Sequence, residues 1–127
     1  MHHPAFSSSK HGSEEPVRKR WVPLFAGAGI KLVLSGHDHD YERTNPQSGV
    51  TYITTGGGGA DLYNAGRSGF TAISAKRHHF LDLNVFADRI EGKAIDKSGQ
   101  VFDTFTITKG VPTASATPSP SATPNQS

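Results

Sequence analysis

The stretch "SGHDHDYERTNP", residues 35–46, sets His37 and His39 two positions apart directly after an apolar run, with Asp38 and Asp40 alternating between and after them. A neutral imidazole nitrogen binds borderline divalent metals well, and a loop leaving a strand can hold such ligands firmly enough to fix a geometry. Gly36 frees the backbone for a tight turn, so the two rings can aim at one cation or at two adjacent ones. Alternating histidines also occur on solvated loops, and the pair alone leaves both readings open. The seven histidines are grouped as His2 and His3, His11, His37 and His39, and His78 and His79. With no cysteine in the chain, disulfides and thiolate metal sites are excluded, while no redox compartment follows.

The elements that must position these residues are legible as a pattern. "SEEPVRKRWVPLFAGAG" reads as a helix starting near Ser13 or Glu14, with Val17, Trp21, Leu24 and Phe25 on one face and acidic residues in the first turn. Pro23 is expected to kink or restart it. "IKLVLS" is an apolar run of strand length that stops at Gly36, followed by the histidine loop and then by a strand, "VTYITT". "GGGGADLYNAGRSG" specifies no regular element and reads as a long turn; lacking a Gly-Lys-Ser/Thr ending, it is no phosphate-binding P-loop. "FTAIS", "HHFLDLNVF", "DRIEGKAID" and "VFDTFTIT" alternate as half-buried strands do, with Leu81, Leu83 and Val85 facing one side and Val101, Phe105 and Ile107 the same side of a later strand. "DKSG", residues 96–99, is a hairpin turn signal. The expected fold class is α/β: a helix, a strand, then an antiparallel meander, with the chemistry on loops at strand ends.

Composition bounds the rest. A chain of 127 residues can build one core at most, and a 34% hydrophobic share with 14 glycines suits a loop-rich α/β or all-β domain better than a helical bundle. Lys and Arg number 13 against 11 acidic residues, and the one basic cluster, Arg18 to Arg20, reads as a solvated helix face, so nucleic acid is not an expected partner. No apolar run reaches the length of a membrane span, and "MHHPAFSSSKHG" shows no signal-peptide pattern. The segment "VPTASATPSPSATPNQS" holds four of the eight prolines and no charge or aromatic ring, and is expected to be an extended linker or tail. Its Pro/Thr/Ser character leans toward an extracytoplasmic or secreted setting, with tethering to another domain or to the cell surface. The expected division is a folded unit over residues 1–109 and a disordered Pro/Thr/Ser-rich linker or tail over 110–127.

Read as a whole, "KLVLSGHDHDYERT" resembles the last signature of the purple acid phosphatases and related calcineurin-like metallophosphoesterases, Gly-His-x-His followed by Tyr-Glu-Arg. "MHHPAFSSSKHGSE" is similar to the preceding signature of the same family, and the two occur in the family's order with a helix between them. With "YITTGGGGADLY", "HHFLDLNV" and "VFDTFTI" resembling the family's C-terminal sheet, the likeness covers residues 1 to about 109. It implies the C-terminal half of a metallophosphoesterase β-sandwich flanked by helices, and a metal-dependent phosphoric ester hydrolase acting on phosphate esters.

The resemblance further implies two divalent or trivalent metal ions (Fe, Mn or Zn), with His2 and His37 on one and His39 on the other. His11 would contact the substrate phosphate and protonate the leaving oxygen. Paired cations neutralise phosphate oxygens and acidify a water aligned for in-line attack, while a protonated histidine opposite that water helps expel the alcohol. His3 is expected to be a neighbour rather than a ligand, and His78 and His79 to serve surface or hairpin packing. Asp38 and Asp40 are expected to orient ring N–H groups or to be solvated, and Tyr41 and Arg43 to brace the loop. The family's aspartate and asparagine ligands have no counterpart here, so the chain by itself is expected to be incomplete and catalytically deficient. The rival reading is a noncatalytic, tethered β-rich binding or surface module with a relic histidine loop. A third is a single-metal hydrolase using His2, His37 and His39 with water in the fourth position.

Overall fold

The computed structural model describes residues 1–110; the Pro/Thr/Ser segment lies outside the described residues. The element order is α1 (Glu15–Gly27), β1 (Leu32–Ser35), β2 (Tyr41–Thr44), β3 (Thr51–Thr55), β4 (Thr71–Ala75), β5 (His79–Val85), β6 (Arg89–Asp96) and β7 (Val101–Thr108). Helix α1 opens with Glu15 and Pro16, where a carboxylate suits the dipole and a missing N–H costs nothing. It closes in a Schellman motif: Gly29 takes φ +73°, its N–H donates to the Ala26 carbonyl at 3.2 Å, and the Ile30 N–H donates to Phe25 at 3.0 Å. Pro23 neither restarts nor ends the helix, since the carbonyl it deprives of a partner belongs to exposed Lys19, where water can serve. The packed face keeps Val17 and Phe25 of the expected four and differs in the rest. Arg18 and Val22 join them on the inward stripe, with the Arg18 guanidinium 4.2 Å from the Phe6 ring and its Nε donating to the Ala5 carbonyl, while Trp21 and Leu24 stay exposed.

Four strands form a mixed sheet in the order β1-β3-β2-β4, with β1 parallel to β3 and β2 antiparallel to both β3 and β4. The other three form the antiparallel meander β5-β6-β7. Two departures from the expected helix, strand, meander order follow. "YERT" is not loop but an inner strand, β2, and the meander is confined to the second sheet. Side-chain alternation divides the core into two layers. Val33 and Tyr52 face α1 with Ala5, Phe6 and Val50. Leu32, Leu34, Tyr41 and Ile53 face the second sheet, meeting Leu81, Leu83, Ala94, Phe105 and Ile107.

The last hairpin is pinned where sequence placed it. The Asp96 carboxylate accepts the backbone N–H groups of Ser98 and Gln100 at 2.9 and 3.0 Å, and Gly99 takes φ +89°. Just beyond it the pairing shifts, since Ala94 opposes Asp103 while Ile95 opposes Val101, so Phe102 is the extra residue of a bulge. The bulge turns Phe102 into the core and leaves Val101 exposed; Val85, at a strand end, is exposed as well, so neither valine takes the inward place its periodicity suggested.

Candidate metal centre

The N-terminal segment lies along β1 and over the first sheet. The Met1 ammonium donates to the Leu34 carbonyl at 3.0 Å, the Gly36 N–H donates to His2 at 2.9 Å, and the Glu14 N–H donates to Pro4 at 2.9 Å. Three carboxylates at alternate positions, Asp38, Asp40 and Glu42, are fully or almost fully buried beneath it. Asp38 accepts the Ser7 hydroxyl at 2.5 Å and the His11 backbone N–H at 3.0 Å. Glu42 accepts the Ser8 N–H at 2.7 Å and the Ser8 and Thr71 hydroxyls at 2.8 and 2.5 Å. Charge-assisted bonds of this kind are strong, and here they fasten "FSSS" and the two histidine segments into one body. Neither Asp38 nor Asp40 orients an imidazole or is solvated, contrary to expectation. The Asp40 oxygens have no hydrogen-bond partner among the described residues, and burial first, then Glu42 and Asp38, push its pKa up to about 7.

On this platform the histidines gather. His2 Nε2 lies 3.1 Å from His37 Nδ1, and the His11 ring centroid lies 4.3 Å from that of His37. His3, expected to stand aside, joins them: one nitrogen from each of His2, His3 and His37 lies within 4.8 Å of the others. His37 occupies φ +69°, and the Asp38 N–H donates to the Gly36 carbonyl at 2.8 Å, a γ-turn with a strained centre that thrusts the imidazole outward. Burial first, then the His11, His3 and His2 rings, lower the His37 pKa, with Asp38 opposing, which favours the neutral form a cation requires.

His39 is placed differently. Its Nδ1 lies 2.8 Å from the Asp61 carbonyl and its ring stacks on Tyr63 at 4.2 Å and 18°. A ring that donates Nδ1–H to a carbonyl presents the Nε2 lone pair, the arrangement that orients metal-binding histidines, but His39 does not share the nitrogen cluster of His2, His3 and His37. Tyr63 also lies 5.5 Å from His11 and borders an open cleft of about 510 Å³ lined by Ser9, Lys10, Asn64 and Lys76. No spacing signal in "GGGGADLYNAGRSG" singled out this tyrosine. The glycines before it are clearer: a Cβ on Gly56 would come within 2.0 Å of the Asp38 carbonyl oxygen, and one on Gly57 within 2.5 Å of the Arg77 carbonyl oxygen.

Three further residues lie outside the site. Arg43 and Tyr41 brace the two sheets rather than the loop, both donating to Asp103. His79 is buried at the start of β5, where Nδ1 lies 2.8 Å from the Arg77 carbonyl and Nε2 lies 2.8 Å from the Thr55 hydroxyl.

No family model matches the sequence. It is 35% identical over 57 residues to tartrate-resistant acid phosphatase type 5 of Homo sapiens, covering 45% of this chain and 18% of that protein. A purple acid phosphatase from seeds of yellow lupin (Lupinus luteus) superposes with a TM-score of 0.75 at 26% identity, over 84% of this chain and 24% of that one. The chain is purple acid phosphatase-like. GAP50, the anchor in the inner membrane complex of Plasmodium, gives a TM-score of 0.80 over 87% of this chain and 35% of that one; at 21% identity the likeness carries the fold alone. An uncharacterized protein of Mycobacterium tuberculosis is 39% identical over 52 residues, 39% of this chain and 10% of its own. The chain therefore spans well under half the length of the purple acid phosphatases and other relatives it matches.

Proposed function

We propose that this chain supplies the histidine half of a metal-dependent phosphoric ester hydrolase of the purple acid phosphatase kind. One observation carries the reading: two segments 35 residues apart in sequence bring His2 and His37 to 3.1 Å, with His11 beside them, as the two family signatures require. The donor set fits the implied cations, because several imidazoles, one of them with a lowered pKa, suit Fe, Mn or Zn. His2 and His37 would hold one ion and His39 the other. Bound cations would supply charge neutralisation at the phosphoryl oxygens and acidify water for attack at phosphorus.

The chain's own residues account for the remaining tasks. His11 would contact the phosphate and deliver a proton to the departing alcohol oxygen. The backbone N–H of His11 is anchored by Asp38, so the ring is carried on a fixed peptide. The cleft beside Tyr63 gives the alcohol portion of the ester room, with the Lys10 and Lys76 ammonium groups at its wall. The carboxylate and asparagine ligands of the family have no counterpart in these 127 residues, so this chain alone is expected to be inactive. Among the described residues no helix is long and apolar enough to cross a membrane. An extracytoplasmic setting with tethering through the Pro/Thr/Ser segment completes the proposal, alongside the division at residues 109 and 110.

The test is metal-dependent hydrolysis of an aryl phosphate by this chain and by a longer polypeptide in which a segment carrying the family's aspartate and asparagine signatures precedes it. Hydrolysis by the longer polypeptide, abolished by His39→Ala, is the expected result. A longer polypeptide that binds metal and leaves the ester intact overturns the reading.

A further inference from the structure

We infer that His2, His3 and His37 form a tri-imidazole site for one borderline divalent cation, of the Zn²⁺, Co²⁺ or Ni²⁺ class, in which His3 is a direct ligand. This set differs from the one the family resemblance implies, which uses His39 and leaves His3 out. It shares His2 and His37 with the proposed hydrolytic site, but it stands on geometry alone and needs neither a phosphate ester nor a carboxylate from elsewhere.

Metal–nitrogen bonds of 2.0–2.1 Å place tetrahedral ligand nitrogens about 3.4 Å apart. The His2 and His37 nitrogens, at 3.1 Å, already meet that spacing, and the three donor atoms lie within 4.8 Å of one another. His3 closes the remainder by side-chain rotation, since it is exposed and its centroid lies 4.8 Å from that of His2 and 4.4 Å from that of His37. The Glu14 carboxylate, 3.9 Å from His3 Nδ1, adds negative charge on the outer side of the ring. The backbone is prepared as well: His2 is tied to Gly36 through its carbonyl, and the γ-turn at His37 is held by Asp38 beneath it. Three imidazoles leave a fourth position for water, because His2 and His3 face solvent.

The test uses the untagged chain, titrated with Co²⁺ while its visible absorption and heat of binding are followed. One Co²⁺ per chain is expected, with the intense bands of a four-coordinate ion and release of protons on binding. His3→Ala, checked by circular dichroism for an unchanged fold, should weaken binding by about tenfold or more, since losing a direct ligand costs at least what losing an outer partner does. His78→Ala, at a histidine outside the site whose ring lies against the Gly57 carbonyl, should leave the affinity and the spectrum as they are. Equal Co²⁺ affinity and an identical spectrum in His3→Ala overturn the inference, and so does a native chain that binds no Co²⁺. Co²⁺ binding that depends on His3, with no ester hydrolysis by the longer polypeptide, sustains this inference while the hydrolase reading fails.

Discussion

The Arg43 guanidinium grips the Asp103 carboxylate through two bonds, Nε to Oδ2 at 2.7 Å and Nη2 to Oδ1 at 2.9 Å, reaching from the centre of the first sheet to the last strand of the second. The Tyr41 hydroxyl donates to the same Oδ2 at 2.6 Å, so one carboxylate closes three bonds across the interface between sheets. Burial by itself would raise the Asp103 pKa, but the Arg43 and Tyr41 hydrogen bonds outweigh it and hold the carboxyl below its ordinary value. Planar, forked contact is what lysine cannot reproduce. Arg43→Lys should therefore destabilise the fold by about 1–3 kcal/mol, and Asp103→Ala by about 3–5 kcal/mol, because it strands a half-buried guanidinium and a buried phenol. Urea unfolding read by tyrosine and tryptophan fluorescence measures both. An Asp103→Ala variant as stable as the parent would show that packing alone joins the sheets.

A second prediction concerns acid. Burial lowers the His79 pKa below 6.5, the Arg77 carbonyl partly restores it, and His78 lowers it again. The unfolded chain thus takes up a proton at this ring before the folded one does. Stability from His79 is fully present above about 6.5 and is lost as pH falls from there toward the depressed folded value. His37 acts in the same direction, so the useful quantity is a difference. His79→Gln should lose less stability than the parent between pH 7.5 and 5.5, measured as the shift in thermal midpoint. Parallel pH profiles for the two proteins would remove His79 from the acid response.

These two clusters mark the limit of what the sequence made legible. The helix, the strands of the meander and the 96–99 turn rest on local periodicity and turn chemistry, which act within a few residues. The pairing of the two histidine segments was legible only through the family signatures, because nothing local states that His2 and His37 meet. Strand β2 was hidden because "YERT" sets two adjacent charges between polar side chains, and those charges find partners only in the tertiary structure, Glu42 on Ser8 and Thr71, Arg43 on Asp103. The alternation of Asp38, Asp40 and Glu42 was the available signal for a shared face. Val101 was misplaced by a bulge that no two-residue period can reveal.

Asp38 links fold and site most directly. Its carboxylate accepts from the Ser7 hydroxyl and from the His11 backbone N–H, so it joins the segment bearing His2, His3 and His11 to the turn bearing His37. Removing it leaves a buried hydroxyl and a peptide N–H without acceptors, at a cost of about 1–3 kcal/mol for each orphaned group. It also frees the peptide on which His11 rides. Asp38→Ala should lower stability by a few kcal/mol and weaken Co²⁺ binding, although the aspartate touches no imidazole. Asp38→Asn keeps one acceptor oxygen and can donate to the Ser7 hydroxyl, so it should recover most of the stability. Imidazole proton resonances distinguish the two effects. In Asp38→Ala the His11 resonances should narrow and move toward free-histidine positions, while those of buried His79 stay in place. If His11 and His79 shift together, the variant has loosened the whole fold and the tethering role of Asp38 is refuted.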